Sequence, residues 1–458
     1  MDWRQTFSTM QSRRHVLPRS WGAAAVPILL AAGVLLLLVC LLQGAPLGVA
    51  HAGARHAAPA PTGNVLTVCH PGLCEYGTLQ QALDAAENGD EIRVARGVYT
   101  GVSARTGVSQ VAYISKSVTI RGGYAITDWQ TSDPQANPTT LDAEGKGRVL
   151  FIAGDVTPTI EGLRLVNGDA QGLGGGYVTG NDGGGCVYVL DGAPVLSGTY
   201  IAQGLADYGG GLYATGSDLV LLGLELTSNT AHVYGGGFFL YLSPTRVERT
   251  RVSHNDAERG GGGYILYSTG VELREVELVE NAAGEVGGGL YTRHSGTTMV
   301  DGEVRANSSE YGGGFFLRFS NTILERNVIT GNVGKYGGGA YLDGGSASFS
   351  DNVFMQNAAD HGAGLYKRDG STTIVGNTLF QNTAARYGGG AHLQGGNATV
   401  EGNTVTANSA QFGGGFYVDG GSLALVANQV LSNTVKWSGG GLYLGRGEAT
   451  IHLNRVAG

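Results

Sequence analysis

The chain has 458 residues and a net charge of −8, and 80 of its residues are glycine. This share is more than twice the usual one of about 7%. It disfavours helical bundles, because glycine weakens helix interiors. The 11 prolines and the lack of a three-residue period exclude collagen. The acidic balance disfavours nucleic acid and anionic membrane surfaces as partners, since both carry negative charge.

The first 52 residues are predicted to be a signal peptide. Several arginines precede an uncharged apolar run over 21–42, and Ala50-His51-Ala52 fits a small-x-small cleavage site. The alternative is an uncleaved N-terminal anchor, because a run of this length can span a bilayer. We expect contact with a membrane only through this segment, and only if it is uncleaved. Residues 53–63, rich in Ala, Pro and Gly, are predicted to be a flexible spacer.

Two cysteines lie close together in the segment that follows the spacer. The sequence Cys69-His70-Pro71-Gly72-Leu73-Cys74 is compatible with one small disulfide between Cys69 and Cys74, of the kind that forms in an oxidising compartment. A metal site there would lack a visible fourth ligand. Cys186 falls on a predicted strand, so we expect it to be a buried free thiol.

Residues 64–182 are predicted to form an N-terminal cap and the first, irregular coils of a repeat structure. Thr78-Leu79-Gln80-Gln81 has the pattern of a capping box, and apolar residues at helical spacing follow it until Gly89. Short strands with apolar residues two apart are predicted after this helix. They cover residues 91–94, 98–100, 117–120 and 148–152.

Residues 183–458 are dominated by one repeat of 25–26 residues. Each repeat has a glycine triplet, a strand, a polar turn, a second apolar segment and then asparagine. The triplets begin at Gly183, Gly209, Gly235, Gly261, Gly287, Gly312, Gly337, Gly388, Gly413 and Gly439, and Gly362-Ala363-Gly364 fills the one gap. One asparagine column comprises Asn229, Asn255, Asn281, Asn307, Asn332, Asn357, Asn382, Asn408 and Asn433, and a second comprises Asn327, Asn352, Asn377, Asn403, Asn428 and Asn454.

This repeat predicts an all-β fold, a single-stranded right-handed parallel β-helix, or solenoid, with a short N-terminal capping helix. Each repeat is too small to bury a core alone, so identical coils must stack about 4.8 Å apart and share one. Glycine and asparagine then form columns at the turns, and stacked asparagine amides can hydrogen-bond along the axis. Residues 448–454 form the middle of a further coil, so we expect the repeats to be truncated at Gly458.

Several segments resemble a known family. Thr78 to Ala86, then Gly89-Asp90-Glu91-Ile92 and Gly97-Val98-Tyr99, resemble the N-terminal cap and first coil of pectin-lyase-like right-handed parallel β-helices. The Gly-Gly-Gly-Leu-Tyr and Asn-x-Ala elements are similar to repeats of chlamydial polymorphic outer-membrane proteins, and more so to bacterial exported proteins known only as β-helix repeat proteins. The resemblance covers residues 64–458. It implies the fold but no single function, because the fold carries lyases, hydrolases, adhesins and tailspikes.

The sequence offers no catalytic set. The Asn-Thr-Asp, Gly-His-Gly and Arg-Ile-Lys tripeptides typical of polygalacturonases do not occur; the nearest match is Asp360-His361-Gly362, which is interpreted as a drifted repeat position. Glu310 and Lys335 share one turn column with opposite charges, which suits solvated turn residues. No cofactor is predicted, and a structural calcium site is left open without ligands to name. A coil with convergent acids and bases would be the sign of catalysis.

Two aromatic columns are the candidate ligand-binding residues. One precedes the triplets and includes Tyr311, Tyr336 and Tyr387; the other lies two residues after them and includes Tyr213, Tyr291, Tyr341, Tyr366, Tyr417 and Tyr443. Alternation along the strand predicts aliphatic residues in the core and these tyrosines outside, with the opposite orientation left open. A flat aromatic ladder could stack on sugar rings or dock a protein. The alternative is that the stacked rings only stabilise neighbouring coils, by roughly 0.5–1.5 kcal/mol per pair.

The sequence therefore predicts an exported surface scaffold, adhesin-like or glycan-binding, with no evident catalysis. Its expected location is secreted or on the cell surface of a bacterium, and its expected partner is a polysaccharide or a cell-surface protein. The alternative function is a polysaccharide lyase or glycoside hydrolase of the pectin-lyase-like fold.

Overall fold

The computed structural model describes residues 63–70, 74–105 and 107–457. The predicted signal peptide and all but the last residue of the predicted spacer lie outside these residues. Within the described ranges, no helix has both the length and the apolar character needed to cross a bilayer.

A single short helix, Leu79–Ala85, lies at the N-terminal end of the described coils. The Thr78 hydroxyl accepts a hydrogen bond from the Gln81 N–H at 3.2 Å, and the Gln81 side-chain oxygen accepts one from the Thr78 N–H at 3.1 Å. The predicted capping box is therefore confirmed. One face of the helix is buried against the first strands, so it covers the N-terminal end of the core.

Almost all other ordered elements are β-strands of three sheets that run along the stack. The first sheet carries two consecutive strands in most coils, which fuse into one strand of 11 residues in four coils. Its strands are Val65–Val68, Glu91–Ala95, Ser103–Arg105, Val108–Ile114, Thr119–Tyr124, Arg148–Ala153, Thr159–Glu161, Val187–Leu190, Val195–Ser197, Leu212–Thr215, Leu219–Leu222, Phe238–Tyr241, Thr245–Glu248, Gly263–Leu266, Val271–Arg274, Leu290–Arg293, Gly296–Val300, Phe315–Glu325, Ala340–Ser350, Leu365–Arg368, Ser371–Val375, Ala391–Gln394, Asn397–Glu401, Phe416–Val426 and Leu442–His452.

The second sheet has 14 strands, one from each successive coil, and the third is present in two groups of four. The second sheet comprises Gly97–Tyr99, Thr139–Asp142, Leu163–Val166, Tyr200–Ala202, Glu225–Thr227, Arg251–Ser253, Glu277–Val279, Glu303–Arg305, Val328–Thr330, Val353–Met355, Thr378–Phe380, Thr404–Thr406, Gln429–Leu431 and Arg455–Ala457. The third comprises Leu205–Tyr208, Thr230–Tyr234, Asp256–Arg259, Ala282–Val286, then Ala358–His361, Thr383–Tyr387, Ser409–Phe412 and Thr434–Ser438.

Each strand pairs in parallel with its copy one coil away. Phe315 pairs with Ala340, and Ala340 pairs with Leu365, so like positions lie over like positions. Among the described strands, the only antiparallel pair joins Ser103–Arg105 to Val108–Ile114. The predicted parallel β-solenoid is confirmed.

In one coil, the strand register differs from the register expected from the positions of the glycine triplets. Gly263, the last of four successive glycines, pairs with Phe238 and with Leu290 and therefore takes the place of a core residue. The triplet of this coil begins at Gly260, whose φ is 69°. The ring of Phe238 fills the space that a side chain at Gly263 would need. Equivalent positions in this coil and the next are therefore 27 residues apart, as are Ser268 and Ser295, which are joined by a hydrogen bond.

The glycine triplets are required by close approach between coils. The first glycine is left-handed, with φ of 66° at Gly337. A Cβ on either of the next two would collide with the following coil, since it would lie 2.5 Å from the Ala358 oxygen at Gly338 and 2.5 Å from the Gly364 oxygen at Gly339. Glycine meets both demands, and Ala363 at the middle position of one triplet is an exception.

Both asparagine columns form buried hydrogen-bonded ladders. At Asn332 the backbone N–H and the side-chain amide donate to the Asn357 side-chain oxygen at 2.9 and 3.0 Å, and the same amide donates to the Val304 oxygen at 2.9 Å. The second column repeats this pattern at Asn327 and Asn352. Asparagine therefore satisfies the buried backbone groups of the turn, as predicted.

Aliphatic side chains fill the interior, and tyrosines lie on the other face of the same strands. Leu290 belongs to the interior core, whereas its neighbour Tyr291 belongs to a separate aromatic cluster outside it. The aromatic cluster is itself buried, with Tyr291 only 3% exposed. The outward direction expected from alternation is observed, but the exposure expected with it is not.

Candidate functional site

Three columns of outward-facing side chains form a cleft along the first sheet. The first column precedes the glycine triplets, as in Tyr336; the second lies two residues after them, as in Tyr341; the third lies two residues further on, as in Asp343. Parallel pairing keeps each column in register from coil to coil. Rings of the first column pack edge-on against the second, as between Tyr336 and Tyr366 at 5.5 Å.

A groove of about 560 Å³ opens in this cleft over several successive coils. We call it the aromatic groove. Its lining comprises Tyr311, Tyr336, His361 and Tyr387 of the first column, Tyr341, Tyr366, His392 and Tyr417 of the second, and Arg368, Gln394 and Asp419 of the third.

The structure brings only some of the predicted binding tyrosines together. Six of them line the aromatic groove. Tyr213 and Tyr291 belong to the second column but lie in earlier coils, where they are buried. Tyr443 stacks on Tyr417 at 5.0 Å in the last described coil. Cys69 and Cys74, which lie apart from the groove, form a disulfide bond.

The ring faces of both columns are already occupied by neighbouring rings. Tyr336 lies between Tyr311 at 5.2 Å and His361 at 4.8 Å, with ring planes 5° and 11° apart. Tyr341 and Tyr366 stack similarly at 4.8 Å. The ladders therefore present ring edges and hydroxyl groups to the groove, so face-on stacking of a sugar along the whole ladder is not available.

His392 interrupts the second column and is the groove's most unusual residue. Its ring is 5% exposed and packs edge-on against Tyr366 and Tyr417 at 4.7 and 4.8 Å. Neither ring nitrogen has a hydrogen-bond partner in the described part of the chain. Burial lowers the pKa of His392 to about 3, so the ring is neutral at ordinary pH and offers one donor and one acceptor.

His361 lies in the first column beside it. Its ring centre is 5.9 Å from that of His392, and its Nδ1 is buried with no partner among the described residues. Burial also lowers the pKa of His361 below the ordinary histidine value. Pairing with Tyr336 and Tyr387 places His361 at a repeat position, as the sequence predicted.

The third column contributes polar groups held in fixed positions. Arg368 donates to Asp343 at 2.6 and 3.0 Å. Arg446 donates to both oxygens of Asp419 at 2.9 and 3.2 Å, which holds the pKa of Asp419 below its ordinary value. Gln394 accepts a hydrogen bond from the Tyr366 hydroxyl. The charges are thus largely paired, while their remaining hydrogen-bonding capacity faces the groove.

This arrangement limits the chemistry available. Among the described residues that line the groove, Asp419 carries the only carboxylate, whereas glycosidases of the usual kinds need two. Nowhere in residues 63–70, 74–105 or 107–457 do three or more His, Cys, Asp or Glu side chains converge as a metal would require.

Sequence reasoning missed His392, Arg368, Gln394 and Asp419. His392 could have been found as a departure from its column, because it stands where other coils have tyrosine or phenylalanine. The third column varies from coil to coil, so its residues gave no such signal. Tyr264 was also missed, since counting from Gly261 shifts its coil by one residue.

Residues 289–456 match a protein-family model described as a right handed beta helix region. This match and the stacked parallel coils show that the fold is a right-handed parallel β-helix. No curated protein matches its sequence.

Several solved structures share features of this β-helix. A periplasmic alginate epimerase is 13% identical with a TM-score of 0.43, over 80% of this chain and 84% of its own. A pectate lyase is 10% identical with a TM-score of 0.33, over 74% of both chains. A tailspike protein of bacteriophage CBA120 is 11% identical with a TM-score of 0.33, over 82% of this chain and 55% of its own. The likeness concerns the fold alone, which polysaccharide-acting enzymes and tailspikes share.

Proposed function

We propose that this β-helix protein binds a glycan in the aromatic groove. The observation that carries the proposal is His392, a buried ring at the groove whose two nitrogens lack protein partners. Leaving a buried polar group unpaired costs about 1–3 kcal/mol. A ligand rich in hydroxyl groups can donate to one nitrogen and accept from the other.

The rest of the groove suits the same ligand. Tyrosine edges supply apolar surface, and Arg368, Gln394 and Asp419 supply oriented polar groups. Binding sites commonly combine a largely apolar lining with a few polar groups that fix orientation. A polyhydroxylated chain lying along the stack would meet a polar group in three successive coils.

The proposed setting is outside the cytoplasm, as an adhesin-like or scaffold protein of the bacterial surface. The Cys69–Cys74 disulfide favours an oxidising compartment. The signal-like N-terminal sequence supports export, and the negative net charge disfavours nucleic acid as the partner.

A glycan array followed by calorimetric titration tests the proposal. We expect His392→Phe, which keeps the ring and removes both nitrogens, to weaken binding at least about tenfold, because two hydrogen bonds are lost. Tyr213→Phe is the matched control, since it changes a buried ring of the same column outside the groove. Absence of binding to every neutral and acidic glycan by the wild-type protein would refute the proposal.

A second candidate is a polysaccharide lyase that uses the same groove. It is favoured by the presence of His361, Asp419 and Arg368 in the lining of one groove, since a neutral imidazole can accept a proton and an arginine can hold an acidic sugar. Incubation with acidic polysaccharides, following unsaturated products and reducing ends, distinguishes the two functions. Turnover that disappears in His361→Gln supports the lyase, and binding without turnover supports the binding protein.

A further inference from the structure

A short hairpin crosses the cleft in the coils that precede the aromatic groove. We call residues 171–183 the strap. Gly175 and Asp182 form an antiparallel bridge within it, and the Gly176 N–H donates to the Asn181 oxygen at 2.9 Å. Tyr177 and Val178 lie at its tip.

The strap backbone is held in place independently of its tip. The buried guanidinium of Arg148 donates to the Gly183 oxygen at 2.8 Å and to the Gly174 oxygen at 2.6 Å. The Asp182 carboxylate accepts from the N–H groups of Gly172 and Gly174 at 2.9 and 2.6 Å. Changes to the tip side chains therefore leave the path of the strap fixed.

The side chain of Tyr177 lies against the cleft and remains 37% exposed. Its ring meets one residue from each of the three columns: Tyr208 of the first at 6.3 Å, Phe239 of the second at 6.4 Å and Tyr241 of the third at 4.7 Å. All three contacts are edge-to-face, with ring planes 64° to 89° apart. This geometry is favourable for a ring inserted between ladders whose own faces are stacked.

The same three columns line the aromatic groove several coils further on. There the third column holds Arg368, Gln394 and Asp419 in the place of Tyr241, and no part of the strap reaches it among the described lining residues. The cleft thus has one part covered by a ring of the chain itself and another part that is open and more polar.

We propose that Tyr177 occupies a ring-binding subsite of this cleft, so that the strap closes one end of the glycan site and limits the number of sugar rings held. The inference rests on the proposed glycan-binding function for the identity of the ligand. The contacts of Tyr177 alone are the evidence that a six-membered ring fits between the columns.

The first test uses p-cresol, which has the ring of a tyrosine side chain. We expect crystals of Tyr177→Ala soaked in p-cresol to hold it between Phe239 and Tyr241, and p-cresol to raise the Tm of this variant more than that of the wild type. Val178→Ala, which alters the exposed neighbour at the strap tip, is the matched control. Absence of p-cresol from the vacated position overturns the inference.

The second test uses oligosaccharides of graded length, prepared from whichever glycan the wild-type protein binds. We expect Tyr177→Ala to bind the longest of them about tenfold more tightly and the shortest unchanged, while Tyr177→Phe behaves as wild type. An unchanged dependence on length overturns the inference even where glycan binding is established. If the wild type binds no glycan, the proposed function fails, and the p-cresol result alone decides whether Tyr177 fills a ring site.

Discussion

Lys367 places a charge where neighbouring coils place leucine. It pairs with Leu342 on one side and Leu393 on the other, is fully buried, and among the described residues donates only to the Gly395 oxygen. Burial lowers the pKa of Lys367 to about 8. In the unfolded chain the same group titrates near 10.4, so folding must either bury the charge or release a proton.

We expect Lys367→Met to stabilise the protein at pH 7 by roughly 2 kcal/mol, because an apolar side chain of similar length replaces a buried charge. Between about pH 8 and 10.5 the unfolded chain binds the proton more tightly than the folded one. Wild-type stability therefore rises with pH through this window relative to the variant. Chemical denaturation at pH 7 and pH 10.5 measures the difference, which should shrink at the higher pH.

Lys335→Met provides the control for this change. Lys335 is exposed and pairs with Glu310 at 3.1 Å, so its replacement should alter stability little at either pH. A stabilisation by Lys367→Met that is identical at the two pH values would show that the buried charge is not its cause.

At the scale of single elements, the turn that contains the glycine triplet is the most constrained. Gly337 and Gly402 have nearly the same left-handed φ, 66° and 64°. They differ in the room available for a side chain. A Cβ on Gly337 would overlap the Ala340 oxygen, whereas no described atom lies within 4 Å of a Cβ on Gly402. The two positions therefore separate backbone strain from close approach.

We expect Gly402→Ala to cost about 1 kcal/mol of stability, the ordinary penalty of a left-handed alanine. Gly337→Ala should cost at least about 3 kcal/mol, because the turn must also shift to separate the new Cβ from the Ala340 oxygen of the same coil. Urea denaturation of the two variants checks this. Equal losses would mean that conformation alone, and not close approach within the turn, selects glycine at the first position of the triplet.

Local patterns explain why most elements were predictable. The capping box depends on residues within one helical turn, and the asparagines and the strand after each triplet recur at a fixed spacing in successive coils. The four-glycine run was assigned one residue out of register, because only the packing of Phe238 shows that Gly263 is a core position. The fusion of two strands into Phe315–Glu325 has no equivalent signal in the sequence.

At the scale of the whole described stack, stability should be nearly a sum over coils and their contacts. Arg259 and Val286 occupy equivalent positions in neighbouring coils. Deleting residues 260–286 therefore joins equivalent points and removes one coil without altering the aromatic groove, which begins at Tyr311.

We expect this one-coil deletion to fold and to keep glycan binding, while deletion of residues 260–273 removes half a coil and prevents normal folding. Circular dichroism and limited proteolysis distinguish the two chains. A one-coil deletion that is as disordered as the half-coil deletion would contradict a modular stack.

The candidate site was less predictable than the stack. Alternation tells which face of a strand a side chain occupies, but not whether rings of another column cover it. For that reason Tyr341 and Tyr366 were correctly placed outside the interior yet expected to be open. His392 departs from its column in the sequence, but its missing hydrogen bonds are seen only in the structure.

The capping helix Leu79–Ala85 has a kinetic consequence. Since every coil resembles the next, a strand that docked one copy too far along would still find most of its partners. The helix has no second copy in the described residues, so it is the one place where assembly can begin without ambiguity. We therefore expect the coils to be added in sequence from the N-terminal side, which is also the order in which a ribosome releases them.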